Sequence, residues 1–470
     1  MKPRAHLEVR SERSGPAGDS LRRRGSVLVI VLWIAFGLVS LALYFANSMS
    51  LELRASDNRV SALAADQAIE GAARYLDYLL AVHAADGSNG LFLSLSDAQC
   101  QAVPVGQSHY WLIGRDTNNP VGPGTLCFGL VDEASKLNLN TAASNAIIWL
   151  PRMTVDLTQA ILDWRDTNGN GPTVTYYAMQ QPSYQCKCDW FETVDELRLL
   201  YGADMDTLLG EDANRNGILD PNETDDNQNG ILDPGVLEYF TVYSREPNTN
   251  SDGSARINIA NLGSSSAQLV SLLQTNFGAT RANQILANLG LSSGGPPGGG
   301  GTSVRFVSPL QFYLRSGMTA TEFAQVATNL TTTSGSYIEG RVNVNTASAA
   351  VLACLLDGDN AAAEQLVNYR QSNPDSLTSI AWVNDALGQS YPDAMQALQA
   401  GDYITTESYQ FTADIAALGP HGRGYRRVKF IFDTSSGAPR IVYRQDLTRC
   451  GWALGSETRQ QWVMARETRS

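Results

Sequence analysis

An α+β fold is predicted, with a long N-terminal helix, a small antiparallel sheet and a large, mainly α-helical insertion that splits the sheet. Three observations predict it. No charged residue lies between Arg24 and Glu52, runs of paired strands stand near residues 109–133 and 426–447, and the segment between them carries repeated tags.

The helix comes first. From Ser26 to Met49 the chain is uncharged, and at about 1.5 Å per residue this run spans about 36 Å, more than the ~30 Å hydrocarbon core of a bilayer. It is too long for the apolar core of a secretory signal. Arg22, Arg23 and Arg24 precede it and hold the N-terminus on the cytoplasmic side. Beyond the membrane, Ala62, Ala65, Ile69, Ala72, Leu76 and Leu79 recur at spacings of three and four, which extends the helix to about residue 83. Residues 84–136 form the first part of the head, with strands separated by turns at 109–133, and "RRVKFIFD" and "RIVYRQDL" form a second strand pair across "TSSGAP".

The insertion divides by its tags. "LNLNTA" at 137–142, "INIANL" at 257–262 and "VNVNTA" at 342–347 each precede helical segments, and each copy ends in a threonine- or tyrosine-rich strand, "EYFTVYS", "ATNLTTTSG" and "DYITTESYQF". The modules are 137–245, 246–340 and 341–411, and 412–470 returns to the sheet. The second is the most degenerate and contains the loop "SSGGPPGGGG" at 292–301.

Composition narrows function. The net charge is −13, and residues 1–25 hold seven basic and three acidic groups, so the chain without them carries −17. Nucleic-acid binding needs a basic footprint. The tags followed by helices do resemble helix-hairpin-helix (SAM-like) modules, some of which bind DNA, but the hairpins "LPRMTVDL" and "LLDGDNAAAEQ" lack paired glycines. A membrane-anchored DNA receptor and a calcium-dependent adhesin stand as alternatives to a scaffold. None of the four histidines sits in a triad or metal spacing, so no enzyme is expected. The six cysteines suit an oxidising compartment. Cys100 with Cys127 and Cys354 with Cys450 are the expected pairs, among 15 arrangements that six cysteines allow. Cys186 and Cys188 have no second pair at zinc-like distance.

The sharpest motif is "EDANRNGILDPNETDDNQNGILDPG", residues 211–235. Asp212, Asn214, Asn216, Gly217, Asp220 and Glu223 match the calcium-loop pattern, which needs oxygens at positions 1, 3 and 5, a glycine turn, a carbonyl at 7 and a glutamate at 12. Ile218 supplies the carbonyl. Thirteen residues on, Asp225, Asn227, Asn229, Gly230, Ile231 and Asp233 repeat the spacing, but position 12 is Val236, leaving Glu238 as the substitute acid. A shorter "DTNGNG" at 166–171 reads as a turn.

Gly25 and Ser26 ahead of the apolar helix, "DEASKLNLNTA", "FETVDELRLLYG" and "RVNVNTASAAVLACL" together resemble minor pseudopilin K of type II secretion, over residues 22–446. That resemblance implies a pilin-like head with a helical insertion, bound calcium, and cleavage between Gly25 and Ser26 by prepilin peptidase after a 25-residue leader. It implies a single-pass inner-membrane protein with a periplasmic head. Its partners would be minor pseudopilins I and J, the major pseudopilin and the inner-membrane secretion platform, with no nucleic acid. Most related pilin helices carry glutamate at the fifth mature position, where this chain has Ile30. A buried carboxylate needs a partner charge. The isoleucine therefore suits a subunit with nothing ahead of it, at the tip.

Overall fold

The computed structural model describes residues 21–118, 126–291, 304–458 and 460–461, so most of the leader and the glycine-rich run at 292–301 lie outside the described residues. The chain divides into two units, residues up to Val60 and Ser61 onward. Helix α1, Leu21–His83, contributes to both. In the first unit its apolar side chains from Val27 to Met49 are exposed, and the helix is long and apolar enough to cross a membrane.

In the second unit the chain passes through β1 (Val103–Val105), β2 (Ser108–Ile113) and β3 (Val131–Asp132) before entering the insertion. There β4 (Leu137–Asn138) pairs parallel with β5 (Phe240–Thr241), and β6 (Arg245–Pro247) leads to β7 (Ile257–Asn258), which pairs parallel with β8 (Leu330–Thr331). Next, β9 (Tyr337–Glu339) pairs back on β6, and β10 (Val342–Asn343) pairs parallel with β11 (Ile404–Thr405). The chain returns through β12 (Gln410–Gly419), β13 (Arg423–Asp433) and β14 (Arg440–Asp446). The head sheet runs β1-β2-β12-β13-β14, all antiparallel, with β3 also on β12.

Ten-residue β12 is the centre of that sheet and is buried throughout. Its sequence, QFTADIAALG, lacks polar alternation because both faces are covered. Alanine richness hides it as a strand, and the expected boundary at residue 411/412 falls inside it. On one face Phe411, Ala413, Ile415 and Ala417 pack with Ala65, Ile69, Ala72, Leu76 and Leu80 of α1. Leu80, not Leu79, ends the stripe: the step from Leu76 is a second four in succession, which a helix of 3.6 residues per turn accommodates as readily as a three. The small alanines let helix and sheet approach closely. Gly424, at φ +68°, and Gly419 complete the seat: a Cβ there would come within 2.3 Å of Ala62 N and 2.1 Å of Ser61 O. On the other face Trp111, Ile113, Ala416 and Leu418 meet Ala453 and Leu454.

Each module is closed by the same short pairing. Asn138 lies opposite Thr241, Asn258 opposite Thr331 and Asn343 opposite Thr405. Each asparagine Oδ1 accepts the N–H two residues on, from Asn140, Ala260 and Asn345, all at 2.9 Å. Each threonine Oγ1 does likewise for Tyr243, Thr333 and Glu407, at 3.1, 3.3 and 3.1 Å. An arginine then ties tag carbonyls in the outer modules, Arg165 to Leu139 and Ala142, and Arg370 to Val344 and Ala347. One apolar core, from Leu137 through Phe312 and Phe323 to Trp382 and Leu398, runs through all three modules.

Two adjacent buried acids join insertion to head. Asp132 Oδ2 accepts from Ser408 Oγ (2.5 Å), Thr346 Oγ1 (2.6 Å) and Asn343 Nδ2 (3.0 Å) of the third module and its exit. Glu133 accepts from Thr241 Oγ1 of the first module (2.5 Å), from Thr412 Oγ1 of β12 (2.6 Å) and from Lys136 Nζ (2.8 Å). Burial pushes Asp132 up to about 6 against its hydrogen bonds from neutral donors. Burial acts the same way on Glu133, but the charges of Lys136 and Lys429 outweigh it and bring that carboxyl down to about 2.

The Arg341 guanidinium joins the later modules, donating to Glu246 Oε2 at 3.1 Å and to Asp402 Oδ2 at 2.6 Å. Cys354 lies in the insertion core and its thiol meets Ala350 O at 3.1 Å. Cys354 and Cys450 are free thiols, so the bridge expected between them is not formed; burial pushes the Cys354 thiol up to about 12. Cys100 is buried between α1 and the sheet, and Cys127 is half-buried with its carbonyl accepting from Gly114 N.

The depressed Glu133 stabilises the fold above its unfolded value of 4.5, and that contribution is lost as pH falls toward 2. Asp132 has the opposite sign, its share being complete below 3.8 and lost as pH rises through about 6. Glu133→Gln is therefore expected to cost about 3 kcal/mol at pH 7 and progressively less below pH 4.5. Urea unfolding of the detergent-solubilised chain at pH 7 and pH 3, followed by tryptophan fluorescence, reads the difference.

Candidate metal centre

The two loops of residues 211–235 have one backbone design. Position 4 is left-handed in both, Arg215 at φ +61° and Gln228 at +58°, and so is the position 6 glycine, Gly217 at +82° and Gly230 at +73°. Non-glycine residues rarely take this conformation, which costs about 1–2 kcal/mol. Its recurrence at the same step of both loops makes them one motif.

Side chains repeat as well. The position 1 carboxylate accepts two backbone N–H groups, Asp212 from Asn216 (2.9 Å) and Gly217 (2.8 Å), Asp225 from Asn229 (3.2 Å) and Gly230 (2.8 Å). The position 5 amide oxygen accepts from position 7, Asn216 from Ile218 at 3.0 Å and Asn229 from Ile231 at 2.6 Å. Both asparagines of each loop turn their Nδ2 toward the position 9 acid, Asn214 and Asn216 to Asp220 at 2.7 and 2.9 Å, Asn227 and Asn229 to Asp233 at 2.5 and 3.4 Å.

The closing carboxylate differs in origin. In the first loop Glu223 accepts from Asn214 N (3.1 Å) and Asp220 N (2.9 Å). In the second it is Glu211, which accepts from Asp226 N and Asp233 N at 2.8 Å each. Gly210 bridges to Pro234 at the base of the pair, so the residue preceding the first loop lies over the second. Glu238, the acid expected there, instead holds Arg115 with two bonds of 2.7 and 3.2 Å. In the sequence Glu211 shows only as an acid directly before Asp212, with nothing that links it to the second loop.

Burial separates the loops. Asp212, Asn214, Asn216 and Asp220 are buried, whereas Asn227, Asn229 and Gly230 are exposed. Burial raises the Asp212 carboxyl, and burial followed by the Asp212 and Asp220 charges raises that of Glu223. A cation between these groups would oppose both effects. Asn214 Oδ1, in a residue only 4% exposed, has no hydrogen-bond partner, and an orphaned buried oxygen at position 3 is what a calcium ligand looks like. Among the described residues no three His, Cys, Asp or Glu side chains gather as a metal centre. The loops instead mix carboxylates with amide and backbone oxygens, the hard-ligand set that suits calcium. Cys186 and Cys188 stay half-buried, with Cys186 Sγ 3.7 Å from Asp163 O, and Asp166 makes a turn by accepting from Asn168 N at 3.0 Å.

Fold and site together define a chain with an N-terminal helix long and apolar enough to cross a membrane, and a split antiparallel sheet whose three-module helical insertion carries a tandem Asp/Asn loop. Residues 342–400, the body of the third module, match the family model described as "Type II secretion system (T2SS), protein K", the family that the sequence tags resemble. No curated protein matches the chain. Among solved structures, a chain of "the GspK-GspI-GspJ complex from enterotoxigenic Escherichia coli Type 2 Secretion System" is similar at 10% identity, with 81% of this chain and 97% of that chain covered and a TM-score of 0.35.

The two position 6 glycines predict different penalties. A Cβ on Gly217 would meet Arg115 Cδ at 2.8 Å, whereas one on Gly230 meets nothing within 4 Å. Gly230→Ala is expected to cost about 1 kcal/mol from backbone conformation alone, and Gly217→Ala more. Hydrogen exchange should show local opening of 211–223 in the second variant and little change outside 225–233 in the first.

Proposed function

We propose that this chain is a minor pseudopilin of a type II secretion system, which caps and initiates the periplasmic pseudopilus at its tip. The observation that carries the reading is the third module: it matches the protein K model and hangs, with its two siblings, from one point of a pilin-like sheet. Helix α1 would anchor the chain in the inner membrane, with the head in the periplasm beside minor pseudopilins I and J. Ile30 supports the tip position, since a subunit with no neighbour ahead has no partner for a buried carboxylate. The insertion supports it sterically, because so large a lateral module leaves little room for repeated packing along a shaft.

Calcium fits the two loops. Asp212, Asn214, Asn216, Asp220, Glu223 and the Ile218 carbonyl would hold one ion, and Asp225, Asn227, Asn229, Asp233, Glu211 and the Ile231 carbonyl a second. Asparagines at positions 3 and 5 lower the ligand charge, which suits affinities on the order of 10⁻⁴–10⁻³ M for extracellular modules. When bound, calcium would supply positive charge beside the loop carboxylates. The role is structural.

Cleavage between Gly25 and Ser26 is expected in cells with prepilin peptidase, and mass spectrometry of the purified protein should find Ser26 as the N-terminus. An intact Met1 there would leave an uncleaved anchor. Calcium at tenfold its Kd should stabilise the head by about 1.4 kcal/mol per site. Glu223→Ala should remove the share of the first site and Glu211→Ala that of the second. Melting curves that are identical with calcium and with chelator, in protein shown by metal analysis to be ion-free at the start, defeat the calcium reading.

A further inference from the structure

Three consecutive carbonyls of the first loop face away from its interior, and two arginines of the head hold them. Arg427 of β13, fully buried, donates from Nη1 to Asn214 O at 2.5 Å and from Nη2 to Arg215 O at 2.7 Å. Its Nε and Nη2 grip Asp414 of β12 at 2.8 and 2.5 Å. Arg115, two residues past β2, donates to Arg215 O at 3.0 Å and Asn216 O at 3.4 Å while Glu238 holds its other side. The left-handed peptide at Arg215 thus has two guanidinium donors on its own carbonyl. Gln228, at the same step of the second loop, has none among the described residues, although the two loops otherwise repeat each other.

A fixed positive charge beside a cation site ordinarily repels the ion. Here Asp414 and Glu238 each pair with their arginine through two hydrogen bonds, so each guanidinium arrives nearly compensated and its donor geometry remains the dominant effect. The geometry fixes positions 3, 4 and 5 of the loop, two of which present ligands. Resting on the calcium reading above, we infer that Arg427 and Arg115 are positioning residues for the first calcium site, which make its affinity a property of the head sheet. The second site, without this clamp, binds independently of the sheet.

Partners of this kind, one step behind the ligands, are worth 10–100-fold in metal affinity. The test is calorimetric calcium titration of the full chain in detergent, with Asp225→Asn and Asp233→Asn silencing the second site. Arg115→Gln should weaken the first site about 10-fold or more, and Arg115→Lys, which keeps the charge but loses the fork, should weaken it similarly. With the first site silenced by Asp212→Asn and Asp220→Asn, neither variant should alter the second. Arg427→Lys repeats the test from the sheet side, and Arg115 decides if that variant does not fold. Calcium-free hydrogen exchange should also quicken at the Asn216 and Gly217 amides in the Arg115 variants. Unchanged or tighter binding at the first site, or equal weakening at both, overturns the inference while the calcium reading stands; a parent chain that binds no calcium removes both.

Discussion

The burial of two adjacent carboxylates, Asp132 and Glu133, is the constraint on which the rest of the head depends. One acid binds the third module through Asn343, Thr346 and Ser408, and its neighbour binds the first module through Thr241 and the central strand through Thr412. A buried carboxylate left without partners costs several kcal/mol, so each bond is close to obligatory. The acids therefore specify where both ends of the insertion meet the sheet. Their opposite displacements, Asp132 upward and Glu133 downward, follow from neutral donors around one and Lys136 with Lys429 around the other.

Much of this was legible in the chain itself, for identifiable reasons. The loops at 211–235 announce themselves because their Asp, Asn and Gly residues recur at one fixed spacing. The Asn-containing tags are visible because the same hydrogen-bond pattern recurs three times. Strand β12 was not legible, since its residues read Ala-rich and unalternating when both faces are covered. Glu211 was missed because its carboxylate serves a loop that begins fourteen residues later, a relation created by the Gly210–Pro234 bridge. Glu238 looked like the closing acid by distance along the chain, yet Arg115 claims it.

The two loops also show how one motif acquires two characters through its surroundings. Their backbones and internal bonds repeat, but the first is enclosed between the insertion and the outer face of the sheet. Asn214 and Asn216 there reach the carbonyls of Trp452 and Ala453 at 3.2 Å, while Asn227 and Asn229 of the second loop are exposed and bond only within their own loop among the described residues. Local sequence sets the form of such a loop. Its neighbours decide how rigid it is.

The insertion leaves and rejoins the head at almost one place. Asp132 on β3 pairs directly with Phe411 on β12, so the chain returns after the three modules to within one strand spacing of its departure. Tension applied along β12 passes to β2 and β13 through the antiparallel ladders of the head, and the modules are tied to that path from the side, through Asp132, Glu133 and Arg427. The modules' length and number can change without re-registering the sheet, because both ends of the insertion meet it at one pair of neighbouring residues.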